Sequence, residues 1–142
     1  MKIKLILLFI VVLVLSCSTP RTFENKEDLV GIPADTIRIA NEELEYEVII
    51  IEPGFYAWLE VTAQPRNFYN QTYLESRNRI WVINYNIRAI DRTNYDPQLY
   101  ELPIDYKSTI DYGYEVNYLL YNYFVYFQLR YKQRLGTFSP RI

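Results

Sequence analysis

Hydrophobic and polar positions fall into three successive patterns along the chain: one unbroken apolar run, then alternation, then helical spacing. The run is Leu5 to Leu15, eleven residues, preceded by Lys2 and Lys4 and followed by Ser16-Cys17. A spanning helix needs roughly 20 apolar residues. The shorter length and the basic start predict the apolar core of a cleavable export signal. With Cys17 directly behind it, the segment reads as a lipoprotein signal over residues 1–16, whose mature chain starts at a lipidated Cys17.

Residues 18 to about 34 show no period and carry Pro20, Gly31 and Pro33. They predict a flexible tether reaching about 20–25 Å. Alternation follows. Ile37 and Ile39 alternate with polar neighbours over Asp35–Ala40, and Leu44, Tyr46, Val48 and Ile50 alternate with Glu45, Glu47, Ile49 and Ile51. Both stretches predict half-buried strands, joined into a hairpin at Asn41-Glu42-Glu43. The second strand turns apolar on both sides from Val48 to Ile51, which predicts that this end is the deeper one.

Glu52-Pro53-Gly54 stops the strand, and Phe55–Leu59 has the spacing of a short helix ending before Gln64-Pro65. Residues 71 to about 92 contain neither Gly nor Pro. Trp81, Ile83, Tyr85, Ile87 and Ala89 alternate as in a strand, whereas Ile80, Ile83, Ile87 and Ile90 share one helical face. A segment of over twenty residues without a turn favours the helix. A last helix is predicted from about Tyr112 to Leu135, with Asp111 as N-cap and Gly136 as the stop. Val116, Leu120, Tyr123 and Phe127 share one side of it, and Tyr114, Tyr118, Tyr121 and Val125 the other. A helix apolar on two opposing faces belongs between layers. The expected fold is therefore α+β: a two-stranded antiparallel hairpin packed with two long helices and one short helix. The compact domain spans 35–136 and is followed by a tail over 137–142.

Composition removes several kinds of chemistry. The chain of 142 residues has no His and one Cys, Cys17. Cys/His zinc sites, Ser-His or Cys-His nucleophile pairs and disulfides within the domain are all excluded. The net charge is −2, and it becomes −4 once Lys2 and Lys4 leave with the signal. An acidic domain without a basic run lacks the footprint of a nucleic-acid binder. Aromatic content is 17%, with 15 tyrosines, which predicts a small, well-packed core with polar edges.

EPGFYAWL, TYLESRNR, NYDPQLYELPIDY and IDYGYEVNYLLYNYFVYF resemble the recurring blocks of a family of short Bacteroidota lipoproteins known as domain of unknown function 6146. The resemblance covers roughly residues 35–132, and the Tyr/Asn-rich last block is its most specific part. It implies a single compact domain behind a lipoprotein signal. It implies no activity, since the family supplies no catalytic residues. Acidic residues after the cysteine accompany surface display in that family. Ser18-Thr19-Pro20 departs from this pattern, which favours the periplasmic side, with the outer membrane as the expected site of attachment.

Several clusters are candidate sites, and each has a plain structural explanation beside it. Tyr114, Tyr118 and Tyr121, with Trp58 and Trp81, have the ring faces needed to stack a flat ligand such as a sugar. Helical spacing of aromatics is first a core signal, so packing on the hairpin, with the hydroxyls at the rim, is the favoured reading. Asp105, Asp111 and Glu115 carry oxygens that suit a hard cation, but Lys107 and Thr109 break the calcium-loop template, so no metal and no cofactor is expected. Glu60, Glu75 and Glu115 are the carboxylates available for glycan cleavage. Arg77, Arg79, Arg88 and Arg92 are able to hold an anion, and equally to form a solvated helix face. Exclusion and location together point to a non-enzymatic binding or structural module. Its partners are the membrane, through the lipid, and an envelope protein or glycan. A small carboxylate-dependent glycan-active enzyme is the rival.

Overall fold

The structure, a computed structural model, describes residues 36–140 and 142. The expected signal over 1–16, the lipid acceptor Cys17 and the tether through residue 34 lie outside the described residues.

Strands β1 (Thr36–Asn41) and β2 (Tyr46–Ile51) form an antiparallel hairpin with Ile37 opposite Ile50 and Ile39 opposite Val48. Asn41 closes it by accepting the Leu44 amide at 3.2 Å, and Glu45 takes the left-handed conformation that ends the turn (φ 51°). Ile37 and Ile39 are fully buried. The apolar end of β2 is not the deeper one: Ile49 and Ile51 are exposed. Tyr46, Val48 and Ile50 pack on the core from one face of the pleat, and the alternate residues point away from it.

Helix α1 (Phe55–Val61) follows a turn that requires Gly54. Its φ is 83°, and a Cβ there would sit 3.2 Å from the Tyr126 hydroxyl, which donates to the Pro53 carbonyl at 2.7 Å. Helix α2 (Gln71–Ile90) starts at Asn70, whose side chain accepts the Tyr73 amide at 2.9 Å. The helical reading of this segment holds. The buried side of α2, however, consists of Leu74, Asn78, Trp81, Val82, Tyr85 and Ala89. The isoleucine face lies outward.

Helix α3 (Gly113–Arg130) is the central element, and every residue from Val116 to Gln128 except Leu119 is buried. Tyr112 occupies the N-cap position, while Asp111 still accepts the Gly113 amide at 2.9 Å. The helix ends at Arg130, five residues before Leu135. Lys132 adopts φ 51°, and the Gln133 amide reaches the Gln128 carbonyl at 3.0 Å. That is a left-handed helix terminator formed without glycine. Gly136 lies against Ile80 and Trp81, where a Cβ would make ordinary van der Waals contact. Asn117, Asn122 and Gln128 are buried in α3, and each donates to the carbonyl four residues back. Their amides are thus paired in a setting where an orphan costs about 1–3 kcal/mol. No helix among the described residues is long and apolar enough to cross a membrane.

Candidate functional site

The tyrosine stripe of α3 packs on residues 64–73 instead of the hairpin. Tyr118 donates to the Gln64 carbonyl at 2.9 Å, and Tyr114 to the Tyr69 carbonyl at 3.3 Å. Tyr121 lies 5.2 Å from Trp81 and 5.6 Å from Tyr69, ring centre to ring centre. The Arg66 guanidinium covers the Tyr118 ring at 4.6 Å and forms a two-pronged pair with Glu115. Between Gln64, Pro65 and these rings remains a void of about 10 Å³, room for no more than about one water. Trp81 is buried, and its indole N–H finds no acceptor among the described residues. Trp58 is half-buried against Phe55 and Tyr126. The fold thus gathers Tyr114, Tyr118, Tyr121 and Trp81 in one region as contiguous packing, and places Trp58 elsewhere.

Of the carboxylates singled out from sequence, only Asp111 and Glu75 come together, bridged by one side-chain nitrogen of Gln71, and the others lie apart. Asp105 faces Lys107, Asp111 and Glu75 share the Gln71 side-chain amide, Glu115 pairs with Arg66, and Glu60 is exposed. Among the described residues no group of three His, Cys, Asp or Glu is placed to hold a metal ion. Of the arginines, Arg77 stacks over Phe138 at 3.9 Å, and Arg88 donates to the Tyr100 hydroxyl at 2.7 Å and to the Arg134 carbonyl.

The most developed site centres on Glu52, a residue whose sequence context marks only the end of a strand. The Pro53-Gly54 turn follows it, and the residue is 5% exposed. Tyr131 donates to the carboxylate at 3.0 Å, and the Arg130 guanidinium lies 3.6 Å away. Burial raises the pKa of Glu52 and Glu101 pushes it the same way, opposed by the Tyr131 hydroxyl and Arg130.

Glu52 opens into a cleft of about 330 Å³ between the end of β2, the loop after α2 and the far end of α3. Asp96, Gln98 and Glu101 come from the loop, and Tyr85, Tyr123 and Tyr131 supply rings and hydroxyls. Burial drives the Tyr123 hydroxyl well above its ordinary pKa, and it hydrogen-bonds Tyr85. No basic side chain lines the cleft. It presents three carboxyl groups, one carboxamide and phenolic oxygens beside ring faces. Such groups hydrogen-bond hydroxyls and amines and repel anions. In the sequence these acids stand apart, Glu52 directly before Pro-Gly and Asp96 and Glu101 inside a Tyr-bearing loop, and neither context signals burial. Only the fold brings those two stretches together.

The family described as "Family of unknown function (DUF6146)" matches residues 5–141. No curated protein and no solved structure matches the chain.

Proposed function

The chain belongs to the DUF6146 family of unknown function, and from that premise we propose a lipid-anchored envelope protein that binds a glycan in the Glu52 cleft without transforming it. The observation that carries this reading is the cleft, which combines hydrogen-bonding groups with tyrosine rings in a volume at the lower end of small-ligand sites. Three carboxyl groups and no basic side chain among its lining residues favour neutral or amino-bearing sugars over acidic ones. The anchor is supported by the eleven-residue apolar run ending at Cys17, and Ser18-Thr19-Pro20 supports attachment on the periplasmic side of the outer membrane. Titration of the protein with neutral, amino and uronic oligosaccharides, followed by NMR, tests the binding. Shifts at Tyr85 and Gln98 with the first two classes, lost in Glu101→Gln, are expected. Absence of shifts with every class would end the proposal. Cys17→Ala should abolish incorporation of labelled palmitate and release the protein from membranes; persistent labelling would refute the anchor.

Glycan cleavage is the second reading, favoured by one observation. Glu52 is a buried carboxyl in a cleft that also holds Asp96 and Glu101, and burial raises its pKa as a general acid requires. Release of new reducing ends from envelope glycans, abolished by Glu52→Gln, would establish it.

A further inference from the structure

The outward face of α2 carries Ile80, Ile83, Ile87 and Ile90, between 39% and 73% exposed. Nearer the helix start the same face carries Thr72, Ser76 and Arg79, all exposed. The apolar surface is therefore confined to the last three turns, about 15 Å at 1.5 Å per residue. Its spacing alternates three and four residues, which is the narrow seam by which helices pair, and not the broad stripe of a helix lying on a core. We infer that this seam is a self-association surface, through which two copies of the chain pair with their α2 helices antiparallel about a two-fold axis near Tyr85.

The pattern is complementary to itself. In the antiparallel arrangement Ile80 meets Ile90 of the second copy and Ile83 meets Ile87, so a single patch supplies both sides of the contact. The residues flanking the middle of the seam, Asn84 and Asn86, are uncharged, and nothing there repels an identical surface. The ends carry opposite charges. Arg79 and Asp91 lie at opposite ends of the seam, so an antiparallel pair sets neither against its own copy, and the two helix dipoles oppose. A lipid surface fits this face less well, because Arg88 is turned away to Tyr100 and Arg134 and does not flank the isoleucines as a basic rim. The four side chains offer on the order of 400 Å² of apolar surface, comparable to the largest patch on a typical monomer. Two such patches with their flanks bury roughly 800–1,000 Å² in total, the size of a weak, concentration-dependent pair. The pairing depends neither on the Glu52 cleft nor on the lipid anchor.

A photo-crosslinking amino acid placed at Ile83 in the full-length chain, irradiated in the cells that produce it, tests the inference. The expected product has twice the mass of the chain. Its yield should fall at least tenfold when Ile87→Asp is added, and the milder Ile87→Thr should lower it in the same direction. Melting of both variants reports that the domain still folds, and the same probe at Thr72 should give no dimer. The inference is overturned by the absence of a dimer product at Ile83, by a dominant product with lipid or another protein, by equal yields at Thr72 and Ile83, or by a dimer that persists in both folded variants.

Discussion

Helices α2 and α3 are of similar length, 20 and 18 residues, and both are apolar on more than one side, yet the fold treats them in opposite ways. α3 is enclosed, and its buried Asn and Gln side chains are silenced by bonds to its own backbone. α2 buries one side only, and leaves its aliphatic side in water. The difference shows that regular isoleucine spacing marks a helix without marking its core face. Where two apolar faces compete, the larger rings prevail. An aromatic side chain removes about 150–250 Å² from water, and Trp81 and Tyr85 outweigh their aliphatic neighbours. Both rings meet Phe124 of α3.

The contrast can be broken from either side. The largest effect is expected in α3: Tyr121→Ala should cost about 3 kcal/mol in urea unfolding, since it empties a buried ring site. An unchanged unfolding curve with lost ligand binding would instead make the stripe a binding surface. Next comes the polar contact between the two helices, where Asn78 donates to the Asn117 carbonyl at 2.9 Å and Tyr106 donates to the Asn117 side chain at 2.8 Å. Asn117→Ala orphans the Tyr106 hydroxyl and should cost about 1–3 kcal/mol; a neutral result would show that water takes over the bond. Smaller again is a pH effect at Glu52. Burial holds its folded pKa above the ordinary value of 4.5. The stability linked to it is complete below that value and is lost as pH rises through the folded pKa. Glu52→Gln has no proton to lose, so it should gain on the parent in paired thermal melts as pH rises above the ordinary value of 4.5; a flat or reversed difference would contradict this. The smallest effect belongs to the outward face of α2, where Ile83→Ala at high dilution should change stability by no more than about 0.5 kcal/mol. A larger loss in dilute monomer would mean that the seam is covered from within the chain.

Much of the fold was legible because local rules produce it. Alternation at Ile37, Ile39, Val48 and Ile50 marks the hairpin, the unbroken stretch after Asn70 marks α2, and two apolar sides mark α3 as central. The errors came where tertiary packing outvotes local pattern. Val48–Ile51 looked deep because all four residues are apolar, but the covering elements pack on one face of the hairpin and leave Ile49 and Ile51 in water. Gly136 looked like the end of α3, but Lys132 accepts the left-handed conformation earlier, and Gly136 is taken up by contact with Ile80 and Trp81. The cleft was least legible. Glu52 and Glu101 lie 49 residues apart, and nothing local to either one announces burial.

The amino-acid order by itself settled the inventory: which segments become strands and helices, and which reactions lack the side chains to run. Those properties follow from backbone preference, side-chain period and composition, all of which act within a few residues. Which face of α2 is buried, where α3 stops, and which acids share a cleft were decided only in three dimensions. They depend on competition between distant surfaces for the same limited interior.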